Sequence, residues 1–255
     1  MAYIEINGAN IYYQVYGDKD PFEAPIVLIH GSTVDHSEWN PIIPVLAEHY
    51  QAFTPDCRGH GKSNNPRLSY SFQELARDVA AFVRALGYEK AHIIGHSNGG
   101  NVALVTLMEH PDVVQTCILQ AANAYVTRYL IDREPIYFDA ERIQRENPDW
   151  MNEMIVIHGD TNGKEYWRDL VWLTMKETIS EPNYSPNELS RVTRPVLVIM
   201  GANDMANAPD EHAQYIAKHI PNAELWIPEN TGHNVHLERG AEWLKKVLDF
   251  LNRRG

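Results

Sequence analysis

The stretch Ala91–Met108, AHIIGHSNGGNVALVTLM, decides the fold. It opens as a short apolar run (Ile93, Ile94), turns sharply through Gly95-His96-Ser97-Asn98-Gly99, and continues with helical periodicity. That is a strand, a tight turn and a helix, with the turn spelled G-x-S-x-G. A serine on such a turn takes a strained backbone conformation that pushes its hydroxyl out above the sheet. Glycine is expected two positions to either side because neighbouring elements leave no room there for a Cβ. The helix that follows aims its unpaired N–H groups and partial positive charge at the same spot. Five residues of this pattern also occur in plain structural turns. The strand–helix setting is what makes Ser97 a candidate nucleophile.

Working outward, the same rhythm recurs on both sides. Tyr3–Asn7 and Asn10–Tyr16 alternate around Asn7-Gly8, a hairpin signal at a sheet edge. Pro25 introduces Ile26–Ile29, a continuous apolar run typical of a strand buried on both faces, which ends in His30-Gly31-Ser32-Thr33. Gln51–Pro55 is the next strand and closes in Asp56-Cys57-Arg58-Gly59-His60-Gly61-Lys62-Ser63. Ser71 and Glu74 read as a capping box, Leu75, Val79, Phe82, Val83 and Leu86 share one helical face, and Gly87 stops the helix. Beyond the Ser97 helix, Val114–Leu119 is another buried strand. Pro195–Gly201 resumes the pattern, with a helix near Asp210–His219, a strand at Ala223–Ile227 and a last helix from about Ala241 to Leu251. Strands alternating with helices predict an α/β fold with a mostly parallel, eight-stranded sheet covered on both faces.

Residues 122–191 break the alternation. They carry no clear strand and many aromatics (Tyr125, Tyr129, Tyr137, Trp150, Tyr166, Trp167, Trp172), and the stretch is too long for a loop in a compact domain. The expectation is an inserted helical cap over residues 122–191, dividing an α/β core into residues 1–121 and 192–255. Its aromatics should mostly form the cap's own core, with a few lining a pocket.

A chain of 255 residues is long enough for one large domain of this kind. Hydrophobic content of 44% with 22% charged residues is that of a globular enzyme. The formal charge of −12 argues against nucleic acid or anionic membrane as partners. MAYIEINGAN lacks a basic segment followed by an apolar one, and no apolar run approaches the ~18 residues of a membrane span, so a cytoplasmic location is expected. Cys57 and Cys117 do not make a disulfide framework and read as buried fillers.

In open α/β sheets the site lies beyond the carboxyl ends of the strands, so partners for Ser97 belong on loops that follow strands. A serine hydroxyl needs a base to take its proton, and the base needs a third group to fix its tautomer. Asp204 follows Pro195–Gly201 and His233 follows Ala223–Ile227. Read alone, Asp204 is a turn residue or helix cap and His233 a surface histidine. Together with Ser97 they are three suitable residue types on three suitable loops, in the chain order Ser, Asp, His expected on this architecture. The oxyanion donors should be the backbone N–H groups of Asn98 and Ser32, each typically worth ~2.7–4 kcal/mol in the transition state. His30 and His96 should bond locally. His233 and His236 lie three apart with no third ligand beside them, so neither metal nor cofactor is expected.

The chain resembles the α/β-hydrolase superfamily over essentially its whole length. His30-Gly31, Asp56–Ser63, Gly95–Gly100, Gly201–Asp204 and Gly232-His233 carry the resemblance. Ala122-Asn123-Ala124-Tyr125-Val126-Thr127 and His233-Asn234-Val235-His236-Leu237 look like the valacyclovir hydrolase (biphenyl-hydrolase-like) branch. That branch implies hydrolysis of amino-acid esters, with an acidic residue after the nucleophile binding the substrate ammonium. Here Asn98 stands there, and a neutral hydrogen bond is worth ~1 kcal/mol against ~1.5–3 for a charge-assisted one. A neutral acyl group is therefore expected. Asn98→Asp should raise the rate on a valine ester relative to the matching isovalerate ester, and an unchanged ratio of the two rates would remove that role from position 98. The expected function is hydrolysis of a small carboxylic ester. Amide, lactone or carbon–carbon bond hydrolysis on the same triad, and a small-molecule receptor that keeps the triad, are the alternatives.

Overall fold

Asn7 and Gly8 both take positive φ (47° and 79°), the backbone that a two-residue type I′ turn requires. The hairpin of β1 (Ala2–Ile6) and β2 (Ala9–Tyr16) closes on them and forms one edge of an eight-stranded sheet. The computed structural model describes residues 2–18 and 23–254. After the hairpin come β3 (Ile26–Ile29), a 3₁₀ turn at His36–Trp39, the short α1 (Ile43–Leu46), β4 (Ala52–Pro55) and α2 (Phe72–Ala85). Then follow β5 (Ala91–His96), α3 (Asn98–Glu109) and β6 (Val114–Gln120). The strand order is β1-β2-β4-β3-β5-β6, completed by β7 (Val196–Ile199) and β8 (Glu224–Trp226). Only β2 runs against its neighbours; from β4 to β8 every pairing is parallel.

The continuous apolar strands are explained by two cores. Along β3, Val27 and Ile29 join the core that holds α2 and α3, while Ile26 and Leu28 join the opposite one with Trp39, Leu46, Trp243 and Phe250. Alternate side chains of one strand thus leave water on opposite faces.

Between β6 and β7 lie α4 (Arg128–Tyr137), α5 (Ala140–Glu146), α6 (Pro148–Asn162), α7 (Tyr166–Thr178) and α8 (Pro186–Leu189), with no strand among the described residues. Phe138, Ile143, Met154, Trp167 and Val171 form a third apolar cluster within this segment. Trp172, by contrast, is exposed, and Tyr125 packs edge-on against Tyr215. After β7 come α9 (Ala213–His219), β8, the one-turn α10 (Val235–Glu238) and α11 (Gly240–Arg254). Met1 and Gly255, the outer ends of the expected domain division, lie outside the described residues.

Local details depart from the sequence reading. The capping box at Ser71 is only half made. The Ser71 hydroxyl accepts from Glu74 N at 3.0 Å, but the Glu74 carboxylate turns to the Ser69 hydroxyl at 2.9 Å and toward Arg58. A complete box forms instead at Ser185 and Glu188, opening α8. The helix near Asp210 begins only at Ala213.

Where α7 meets the core, the Glu177 side chain is buried. Burial first, and then the neighbouring Glu181 carboxyl, push its pKa well above the usual carboxylate range. The folded chain therefore holds a proton there that the unfolded chain releases above its ordinary pKa, so stability falls as pH rises through the window between those two values. Glu177→Gln should remove that slope. Thermal melting should show the variant above the parent at pH 8, by roughly 2–4 °C per kcal/mol regained, with the gap closing toward pH 5. A gap independent of pH would contradict this reading.

Candidate active site

Ser97 sits at the junction of β5 and α3 with φ 55° and ψ −122°, a backbone region that L-residues adopt only under constraint. Close packing on both sides holds it there. A Cβ on Gly95 would lie 2.0 Å from the Gly99 carbonyl oxygen, and one on Gly99 2.2 Å from that of Ile29. Both glycines are thus required sterically, as their spacing around the serine predicts.

The loops after β3, β5, β7 and β8 converge on one cavity of about 210 Å³. Ser32, Ser97, Asn98 and His233 all line it. The N–H groups of Ser32 and Asn98 have no hydrogen-bond acceptor among the described residues. His233 Nδ1 donates to Asp204 Oδ2 at 2.8 Å, and the Asp204 side chain is fully buried behind the ring. The other carboxylate oxygen, Oδ1, accepts from the backbone N–H groups of Ala206 (2.8 Å) and Asn207 (3.0 Å). Burial pushes the Asp204 pKa up, but the hydrogen bond and charge of His233 and those two N–H groups outweigh it and hold the carboxyl below its usual range. The structure thus joins His233 to Asp204 directly. Ser97 shares their cavity, and among the described residues no hydrogen bond links its hydroxyl to His233.

The wall opposite Ser97 comes from the helices between β6 and β7. Leu130, Arg133, Glu134, Tyr137, Phe138 and Trp150 face the cavity from α4 to α6. The Arg133 guanidinium lies 4.4 Å from the Tyr137 ring centroid and pairs with the buried Glu134. Two buried amide atoms have no partner: Asn98 Nδ2 and Asn123 Oδ1, both from residues that line the cavity.

Other residues singled out in the sequence have structural work. Asp56 accepts from His36 N and Nδ1 through one oxygen (2.8 and 2.7 Å) and from Lys62 N through the other (2.8 Å), closing its loop. Arg58 makes a two-pronged pair with Asp78 at 2.9 Å on each arm. His30 donates from Nδ1 to the Gly31 carbonyl and accepts the Cys57 N–H at Nε2, tying the loops after β3 and β4 together. Burial raises the Cys117 thiol, which keeps it protonated. His236 does not pair with His233 around a common point: its Nδ1 accepts from Gln120 Nε2 at 2.7 Å.

Sequence reading missed Glu38. Its carboxylate accepts from Gly31 N (2.9 Å) and from His96 Nδ1 (2.8 Å), directly under the site. Nothing in His36-Ser37-Glu38-Trp39 marks it, because its partners lie 7 and 58 residues away. Glu38, His96 and His236 bring one donor atom each within 4.8 Å of one another.

A strained serine between β5 and α3, under loops that carry an Asp–His pair, defines a hydrolase built on this sheet order. The comparison with known families agrees: the alpha/beta hydrolase fold family matches residues 24–169, more than half of the chain, and the chain belongs to that family. Among its relatives is the human serine hydrolase BPHL, 26% identical over 98% of this chain and 86% of that protein. The solved enol-lactonase from Burkholderia xenovorans LB400 superposes with a TM-score of 0.79 at 23% identity, covering 98% of this chain and all of that one. Est816, described as an N-acyl homoserine lactone degrading enzyme, gives 0.78 at 26% identity over 98% of this chain and 100% of its own. Among the described residues no helix is long and apolar enough to cross a membrane.

Proposed function

We propose that this hydrolase is a cofactor-free serine enzyme that cleaves small carboxylic esters through an acyl-enzyme on Ser97. The observation that carries the reading is the convergence on one cavity of the strained Ser97, the His233–Asp204 pair and two unengaged backbone N–H groups.

With Nδ1 donating to Asp204, the remaining nitrogen of neutral His233, Nε2, is free to accept a proton. As the Ser97 hydroxyl attacks the ester carbonyl, Nε2 takes its proton, and the carbonyl π pair moves onto oxygen. Ser32 N–H and Asn98 N–H receive that oxyanion. Collapse expels the alkoxide, which takes the proton from His233. Water then repeats the sequence on the acyl-enzyme, returning the serine and releasing the acid. Asp204, kept ionised by its three donors, stabilises the imidazolium in both halves. The chemistry is complete with side chains and backbone alone.

We read residues 122–191 as a cap whose inner wall selects the acyl or leaving group, on a core of residues 1–121 and 192–255. The small cavity and its apolar residues Leu130, Phe138 and Trp150 support a short, neutral acyl chain. The same geometry would accept lactones, which two solved relatives are named for.

Steady-state assay of short-chain p-nitrophenyl esters tests the reading. Many turnovers per chain are expected. A single equivalent of product, or none, would instead describe a receptor that binds without cycling.

A further inference from the structure

We propose that Glu38 and His96 are positioning residues of this site: a buried ion pair that holds the Ser32 loop and the His233 loop in register around Ser97. The proposal rests on the serine-hydrolase reading above.

Three observations carry it. First, both ring nitrogens of His96 face acceptors: Nδ1 lies 2.8 Å from Glu38 Oε1 and Nε2 lies 3.3 Å from the His233 carbonyl oxygen. Each ring nitrogen of His96 thus faces an oxygen acceptor on a different loop. Second, Glu38 is the matching anion. Its second oxygen accepts the Gly31 N–H at 2.9 Å, and Gly31 directly precedes the oxyanion donor Ser32. Burial works against the carboxylate charge, but the charge and hydrogen bond of His96 outweigh it and bring the Glu38 pKa down to about 2. Third, the surroundings keep the pair intact. His236 packs 4.7 Å from the His96 ring, and burial followed by the charge of His96 pushes it down to about 3, so it stays neutral and holds Gln120.

The connectivity is the argument. His96 is covalently next to Ser97, Glu38 grips the chain beside Ser32, and His96 grips the backbone of His233 itself. One ion pair therefore ties three loops that must keep their spacing to a fraction of an ångström. Buried ion pairs add little to stability because desolvation offsets their attraction, so a pair with 9% and 3% exposed side chains calls for a role other than stability.

Glu38→Gln tests this. The amide is nearly isosteric but offers one acceptor oxygen, while Gly31 N–H and His96 Nδ1–H each need one. Expected is a fall in kcat on the order of 10–100-fold, with KM within about threefold. An alkyl boronic acid, which forms a tetrahedral adduct on the serine, should lose affinity by the same factor as kcat/KM, while the product carboxylate should not. A merely structural role would lower the melting temperature and the active fraction but leave kcat per active site and boronate affinity alone. A folded Glu38→Gln enzyme with both values unchanged overturns the proposal. Should that variant not fold, Glu38→Asp keeps the charge on a shorter arm, and the same two readouts decide. A parent protein that neither turns over ester nor binds boronate would instead overturn the serine-hydrolase reading, and this proposal with it.

Discussion

Ser97→Ala is expected to lower kcat on a short-chain p-nitrophenyl ester by on the order of 10⁴–10⁶-fold with the fold intact. The size follows from what the substitution deletes. In the proposed mechanism the hydroxyl oxygen forms the bond to the acyl group, so its removal takes away the acyl-enzyme route. The Ser32 and Asn98 N–H groups stay, and so does any modest polarisation of a bound carbonyl. The Cβ of alanine fits the same strained turn, since serine already carries one there. Melting temperature and circular dichroism should therefore match the parent, and steady-state rates report the chemistry alone. A loss of less than tenfold would mean that ester cleavage is carried elsewhere.

Asp204→Asn is expected to cost about 10⁴-fold in kcat, and this structure says why. Asp204 Oδ1 serves two backbone donors, Ala206 N and Asn207 N, and Oδ2 serves His233 Nδ1. An asparagine has one acceptor oxygen. Two fixed N–H groups claim it, which turns the NH₂ toward His233. Nδ1 must then accept, Nε2 must carry the proton, and the ring can no longer take one from Ser97. Nitrogen-15 NMR of the His233 ring should show the tautomer reversed relative to the parent, alongside the loss of kcat. An unchanged tautomer with an unchanged rate would remove Asp204 from the mechanism.

Much of this was legible in the chain because it depends on short-range pattern. Asn7-Gly8 announces its hairpin by the positive φ that it tolerates. Ile26–Ile29 announces a doubly buried strand because both faces demand apolar residues, and the two cores on either side of β3 satisfy that demand. The positions of Ser97, Asp204 and His233 after strands follow from counting strands, and the 2.8 Å contact of His233 with Asp204 spans 29 residues that a parallel sheet folds together. What could not be read depends on long-range packing without a local signature. Glu38 meets His96 across 58 residues, and its choice of partner is made by where the 3₁₀ turn at His36–Trp39 lands. The Ser71–Glu74 pair has the right spacing for a full capping box, yet Ser69 and Arg58 compete for the carboxylate once the fold brings them near. The cavity wall of Arg133, Glu134 and Tyr137 likewise exists only when the helices between β6 and β7 lie over the strand ends.

Intact-mass analysis after treatment with a fluorophosphonate, followed by peptide mapping, tests the central claim most directly. The reagent phosphonylates a serine only where a base takes its proton and donors receive its oxyanion. One adduct per chain is expected, mapping to the peptide that contains Ser97 and absent from Ser97→Ala. An adduct on another residue, or no adduct on a folded protein that hydrolyses esters, would contradict the account.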